Sequence, residues 1–161
     1  MLIEVVTDVA AEPSTVFDLE LDVDVHTASL AGSGERATTS SGRRRLGLGD
    51  EVTFHARHLG LPWRMTSRVT AHDRPHRFVD EQTRGPFAAL HHEHLFEARR
   101  VPTGPGGAVV TRMTDRLSVV APAGPLGAVV TRLVLGPYLR RLLERRAAHV
   151  KQVAETTGER G

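Results

Sequence analysis

The end of the chain carries the pattern that most constrains the fold: one long apolar helix follows a series of strand-like segments. Apolar residues recur at helical spacing and form a broad stripe at Leu126, Val129, Val130, Leu133, Val134, Leu139, Leu142 and Leu143. Gly136 and Pro137 are expected to kink this helix, because proline lacks a backbone donor. Since no other predicted helix is long enough to cover a sheet, we predict a sheet that curls around this one.

The segments before the helix predict an α+β fold with a curved antiparallel sheet of about seven strands. A first strand covers Met1 to Ala10, and two short helices follow, one starting near Pro13 and one spanning Asp22 to Leu30. About six further segments alternate polar and apolar residues, as antiparallel strands with one covered face do. The 161 residues fit a single domain, from 1 to 161.

The stretch from Phe78 to Glu97 has an unusually polar inner face. Two alternating runs flank Gly85-Pro86, and strand side chains point to opposite faces in turn. Residues that share a face with Phe78 or Phe96 are therefore predicted to point inward, and they are Asp80, Gln82, Arg84, Leu90, His92 and His94. Burying several ionisable groups without water or a ligand is unfavourable, which indicates that they line a cavity.

Other segments contribute to the same predicted cavity. Alternation in the neighbouring strands turns Phe54, His58, Trp63, Met65, Met113 and Asp115 inward. His26, in the second helix, is expected either to line the cavity mouth or to be exposed. The apolar members of this set would form the wall, although an ordinary core explains such residues equally well.

Composition and charge exclude several classes of protein. There is no cysteine, so disulfides and thiol chemistry are excluded. Lys and Arg number 21 against 19 Asp and Glu, and the basic residues are dispersed, so nucleic-acid binding is not expected. Arg140, Arg141, Arg145 and Arg146 are predicted to form a solvated helix face. With no signal peptide or apolar run of membrane-spanning length, a cytoplasmic protein is expected.

The pattern resembles the START-like, or SRPBCC, superfamily of helix-grip proteins, and within it the polyketide cyclase/dehydrase group. The matching residues are Pro13 with Val16-Phe17, Phe78 to Gln82 with Gly85-Pro86-Phe87, His92 to Glu97, and Asp115 before Pro122-x-Gly124. The resemblance implies a deep cavity between the long helix and the concave sheet, suited to a lipid, a polyketide or another hydrophobic molecule. It implies no single reaction, because one fold hosts carriers, sensors and enzymes.

Three roles are open for the inner polar residues. The first is acid/base catalysis of a cyclisation or dehydration by His92, His94 and Asp115, with Asp80 and Gln82 orienting the substrate or a histidine. The second is a hydrogen-bonded network that only fixes strand registry. The third is a zinc site, which we disfavour because the His-x-His pair lacks the additional Glu and His of a cupin-like site. We therefore expect neither a metal nor a cofactor.

The favoured interpretation is a protein that binds a hydrophobic small molecule and acts on it without a cofactor. The alternatives are a non-catalytic carrier or sensor for a lipid or quinone, and a protein with a collapsed cavity that interacts through its arginines. The formation of a homodimer is left open.

Overall fold

The computed structural model describes residues 1–102, 108–122 and 124–158. The side chain of Leu126, which belongs to the predicted apolar stripe, is not among those described. In chain order the helices and strands are β1 (Leu2–Val9), α1 (Pro13–Glu20), α2 (Val23–Ser29), β2 (Arg36–Thr39), β3 (Glu51–His58), β4 (Leu61–Asp73), β5 (Arg77–Arg84), β6 (Ala89–Val101), β7 (Ala108–Val120), α3 (Gly124–Val130) and α4 (Gly136–Gly158). A π-helical segment, Thr131–Leu135, joins α3 to α4.

The seven strands form one sheet in the order β1-β7-β6-β5-β4-β3-β2, and every neighbouring pair is antiparallel. The two short helices follow β1, and the long helix ends the chain. The predicted α+β helix-grip architecture is therefore confirmed. In the described part of the chain, no helix combines the length and the hydropathy that crossing a membrane requires.

The two short helices have simple sequence causes. Pro13 occupies the first turn of α1, where a missing backbone donor does no harm, and Val16 and Phe17 are buried beneath it. The carboxylate of Asp22 caps α2 by accepting hydrogen bonds from the backbone N–H groups of Asp24 and Val25. Both helices pack against α4, so they close one end of the space between α4 and the sheet.

The terminal helix is covered only in its second half, and of the predicted apolar stripe Leu143 alone is fully buried among the described residues. Its buried residues recur every three or four positions, at Leu143, Ala147, Val150 and Ala154. In the first half the prediction is wrong, since the side chains of Val129, Val130, Leu133 and Val134 are all exposed. Apolar spacing shows which residues share a helix face, but it cannot show whether another element covers that face.

The predicted interruption of the helix lies next to Gly136 and Pro137, in the π-helical segment just before them. A proline ring clashes with the carbonyl group four residues earlier, and the wider π turn provides room for it. The interruption separates the exposed first part of the helix from the part that packs on β1, α1 and α2.

Candidate functional site

A cavity of about 130 Å³ lies between α4 and the concave face of the sheet. Its wall is mostly apolar, with a few polar groups that come from both the sheet and the helices. Of the residues predicted to line a cavity, eight do so: His26, Phe54, His58, Trp63, Met65, Asp80, Leu90 and His92. A concave apolar space with a small number of polar groups is the usual form of a small-molecule site.

His94 is the centre of a buried polar cluster behind this wall. Its side chain is 0% exposed, and its ring stacks on Phe78 with the ring centroids 4.0 Å apart. Nδ1 of His94 lies 2.8 Å from Oδ1 of Asp115, and Nε2 lies 3.2 Å from Oδ2 of Asp80. The strand register produces this arrangement, because His94 of β6 lies opposite Phe78 of β5 and Asp115 of β7.

His92 is the member of the predicted catalytic set that faces the cavity. Its Nε2 lies 3.3 Å from Oδ1 of Asp115, and its Nδ1 lies 3.8 Å from Oδ2 of Asp80. Its ring centroid is 3.8 Å from that of His94. Among the described residues, His92 and Asp80 contribute to the cavity wall, and His94 and Asp115 lie behind them. His94 and Asp115 can therefore act on a ligand only through His92 and Asp80.

Glu20 and Arg146 complete the cluster, and the sequence prediction missed both. Nη2 of Arg146 donates to the backbone carbonyl of Glu20 at 2.9 Å and lies 2.5 Å from Oε2 of the same residue. Arg146 is buried, so its predicted place on a solvated helix face is wrong. Its position three residues after the buried Leu143 was a usable signal, as was that of Glu20 three residues after Phe17.

The surroundings separate the pKa values of the two histidines. Burial alone would lower the pKa of His94, but the carboxylates of Asp115 and Asp80 outweigh it and raise that pKa to about 9. Burial and the neighbouring charge of His94 lower the pKa of His92 to about 4. A charged His94 thus lies beside a neutral His92 at neutral pH, and such divergence is typical of acid/base sites.

The pKa values of the carboxyl groups in the cluster also differ from one another. Burial alone would raise the pKa values of Asp80 and Asp115, yet both are held well below their usual range because the two imidazoles favour the charged carboxylates. The pKa of Glu20 is raised, because burial outweighs the attraction of Arg146. Asp80 and Asp115 are therefore the fixed negative charges that hold the histidines.

The remaining histidines of the wall have partners of their own. Nδ1 of His58 is hydrogen-bonded to the hydroxyl of Tyr138, on α4, at 2.8 Å. This contact joins the sheet to the helix across one side of the cavity. His26 stacks on Phe54 with the ring centroids 4.3 Å apart, and its Nε2 lies 2.9 Å from Oε1 of Glu35.

Three residues predicted for the cavity lie elsewhere. Gln82 donates from Nε2 to the carbonyl of Phe87 at 2.9 Å, so it holds the turn between β5 and β6. Arg84 is exposed, because β5 pairs with β6 only as far as Glu81 and then leaves it. Met113 is completely buried in the core, without a share in the cavity wall.

Among the residues that the structure describes, two overlapping groups of side chains could hold a metal ion. Donor atoms of Asp80, His92 and His94 lie within 4.8 Å of one another, and so do those of Glu20, His94 and Asp115. The same atoms already form the ion pairs of the cluster, and Arg146 places a positive charge beside them.

A curved antiparallel sheet and a terminal helix that enclose an apolar cavity define the chain as a helix-grip protein. Residues 2–155 match the family described as polyketide cyclase / dehydrase and lipid transport, and the chain belongs to this family. The predicted START-like membership is thereby confirmed. The comparison with curated proteins finds no match.

Solved structures share the fold at low sequence identity. The ZhuI aromatase/cyclase from Streptomyces sp. R1128 is 19% identical with a TM-score of 0.69, and the match covers 96% of this chain and 93% of that chain. TTHA0849 from Thermus thermophilus is 18% identical with a TM-score of 0.69, over 96% and 99% of the two chains. A START superfamily protein from Mycobacterium smegmatis is 15% identical with a TM-score of 0.57, over 97% and 98%.

Proposed function

We propose that the protein binds a small hydrophobic, polyketide-like molecule in the cavity and catalyses proton transfer on it, as a cofactor-free cyclase or dehydratase does. The observation that carries the proposal is the position of the His92 imidazole at the cavity wall, with Nε2 3.3 Å from Asp115 behind it and Nδ1 3.8 Å from Asp80. One structural neighbour, the ZhuI aromatase/cyclase, supports this class of reaction.

The reaction would begin with His92 as a general base. Its neutral imidazole accepts a proton from the carbon next to a carbonyl group, and the electron pair of the broken C–H bond forms an enolate. In a dehydration, that electron pair then forms the C=C bond while the C–O bond of the β-hydroxyl breaks. His92 returns its proton to the departing oxygen, which leaves as water. Asp115 and Asp80 stabilise the transient charge on His92.

His94 and Asp115 would be positioning residues in this mechanism. Asp115 contacts both imidazoles through Oδ1, so it fixes their orientation. The positive charge of His94 opposes permanent protonation of His92, whose ring is 3.8 Å away. His92 is therefore in the unprotonated form that a general base requires at neutral pH.

Replacing His92 tests the proposal on a single-ring probe. We expect wild-type protein to dehydrate 4-hydroxy-4-phenylbutan-2-one to its conjugated enone, measured by ultraviolet absorbance. His92→Gln should lower kcat by about 100-fold to 10,000-fold, which is the usual contribution of general acid/base catalysis. Binding of the product enone should change little. His55→Gln, on an exposed position of β3, serves as the matched control and should keep full activity.

The carrier alternative gives a different result in the same experiment. If wild-type protein binds the enone but turns over neither this probe nor related β-hydroxy ketones, the protein is a carrier or sensor and the catalytic proposal is wrong. Dialysis against EDTA should leave turnover unchanged, because no step of the proposed mechanism uses a metal.

The size of the cavity restricts the ligand. Sites for drug-sized molecules usually measure about 300–1,000 Å³, so a cavity of about 130 Å³ suits a single ring unless it widens. The hydrogen bond between His58 and Tyr138 joins the two walls and is the contact that widening would break. Ligands with two fused rings, which are wider, should therefore enter more slowly than single-ring ones.

Tyr138→Phe should speed the entry of larger ligands. The change removes one hydrogen bond, which contributes about 1 kcal/mol, so association with 2-naphthol should become about fivefold faster. Stopped-flow measurement of naphthol fluorescence would give this rate. His58→Gln retains a group that can bond to Tyr138 and should have a smaller effect. An unchanged rate in Tyr138→Phe would show that ligands enter by another route.

A further inference from the structure

Glu35 is a second buried polar group at the cavity wall, beside the ring of His26. Its side chain is 4% exposed and it contributes to the cavity lining. Nε2 of His26 lies 2.9 Å from Oε1 of Glu35, yet Oε1 receives no hydrogen bond of good geometry from any residue that the structure describes. Glu35 thus has His26 beside it but no salt bridge to a lysine or arginine among the described residues, which is unfavourable for a buried charge.

Among the described residues, no permanently charged side chain forms an ion pair with Glu35. Arg146 lies on the same wall, but its guanidinium group is paired with Glu20. His26 is held neutral, since burial and the charge of Arg146 lower its pKa. His58 is also kept neutral by burial, which lowers its pKa. A carboxylate in this position is stabilised by a positively charged group in the cavity.

The wall beside Glu35 is rich in aromatic rings. Phe54, Trp63, Phe87 and Tyr138 all line the same cavity, and the ring centroids of Trp63 and Phe87 are 5.7 Å apart. Aromatic faces attract ammonium groups through their electron-rich π systems, most strongly where water is excluded. The carboxylate and the aromatic wall therefore favour the same ligand group.

We propose that the cavity ligand is a single-ring apolar molecule that carries a protonated amine, and that Glu35 binds the amine. This inference rests on the proposed function only in requiring that the cavity holds a ligand. The size agrees, because an apolar cavity of about 150 Å³ in another protein holds one benzene molecule. The aromatic ring lies against Trp63 and Phe87, and the ammonium group donates to the carboxyl group of Glu35.

Three probes of equal size and different charge test the proposal. Benzylamine, benzyl alcohol and benzoate would be titrated into the full chain at neutral pH by calorimetry. Benzylamine should bind at least about tenfold more tightly than benzyl alcohol, since a hydrogen bond to a charged group is stronger than a neutral one. Benzoate should bind most weakly.

Substitution of Glu35 identifies the group that recognises the amine. Glu35→Gln keeps the shape but removes the charge, and it should abolish the preference for benzylamine while binding of benzyl alcohol persists. Glu97→Gln changes an exposed carboxylate of β6 and should retain the full preference. If Glu35→Gln fails to fold, Glu35→Asp keeps the charge on a shorter side chain and should retain part of the preference.

Each contrary outcome has a separate meaning. Equal binding of benzylamine and benzyl alcohol would overturn the amine proposal while leaving cavity binding intact. Tighter binding of benzoate would also overturn it, and would assign ligand recognition to Arg146, whose Nε has no hydrogen-bond partner among the described residues. Binding of none of the three probes would contradict the proposed function itself.

Discussion

Arg146→Met is expected to destabilise the folded protein by about 3–5 kcal/mol at neutral pH, the usual effect of leaving one member of a buried ion pair alone. The side chain of Glu20 is 0% exposed, so no water replaces the lost guanidinium group. Methionine keeps most of the apolar stem that packs in α4. The loss should therefore arise from the charge on Glu20 and not from a cavity, and urea unfolding would measure it.

Glu20 provides the internal check on this prediction. Its pKa is already raised by burial, and the loss of Arg146 would raise it further, so protonation relieves part of the unfavourable charge. The destabilisation by Arg146→Met should thus be smaller near pH 5 than at neutral pH. Adding Glu20→Gln should recover part of the lost stability at neutral pH.

A matched control is available one position away. Arg145 is exposed, and Arg145→Met should change the free energy of unfolding by no more than about 0.5 kcal/mol. Equal effects of Arg145→Met and Arg146→Met would contradict the buried pair and place both arginines on the solvated face.

The two histidines of the cluster should make stability depend on pH in opposite directions. The folded-state pKa of His94 is raised from 6.5 to about 9, so its contribution is fully present below pH 6.5 and is lost as the pH rises through 9. The raised pKa corresponds to about 3 kcal/mol, since each pKa unit is worth about 1.4 kcal/mol. Wild-type protein should therefore lose stability on the alkaline side.

His92 should make the free energy of unfolding fall on the acid side. Its folded-state pKa is lowered from 6.5 to about 4, so below pH 6.5 the unfolded chain takes up a proton that the folded protein does not. Stability therefore falls by about 3 kcal/mol between pH 6.5 and 4. Asp80 and Asp115, whose pKa values are lowered, add a further loss at still lower pH, where protonation removes their charges.

Replacing each histidine in turn tests which one causes the loss of stability on the acid side and which one on the alkaline side. Urea unfolding across the pH range should show that His94→Gln flattens the alkaline side and that His92→Gln flattens the acid side. The raised pKa of Glu20 acts against the acid side, but Glu20 is present in both variants and in wild-type protein. If the alkaline side persists in His94→Gln, the charge on His94 is not what produces it.

Period-two alternation was sufficient to predict which residues of the strands share a face. It placed Asp80, His92, His94 and Asp115 on the covered side, and all four lie there. Alternation does not determine register, however, and the pairing of His94 with Asp115 depends on how far β6 is shifted along β7. The order of the two histidines, one at the cavity wall and one behind it, depends on the same register.

The residues that the prediction missed make contacts between distant parts of the chain. Glu20 and Arg146 are 126 residues apart, and each belongs to a helix whose packing partner is not apparent from its own spacing. Alternation assigned Gln82 and Arg84 to the inner face of β5, but both lie beyond Glu81, where the pairing between β5 and β6 ends. Alternation assigns a residue to a face of a regular strand, and it loses its meaning where the strand leaves its neighbour.

Imidazole nitrogen chemical shifts measured by NMR would show whether an apolar ligand binds against His92. Titration of ¹⁵N-labelled protein with benzylamine should shift the ring nitrogens of His92 in a saturable manner and move those of His26 as well, because both line the cavity. The exposed His55, on β3, should not respond. Saturable shifts confined to exposed histidines, with His92 unchanged, would contradict the account.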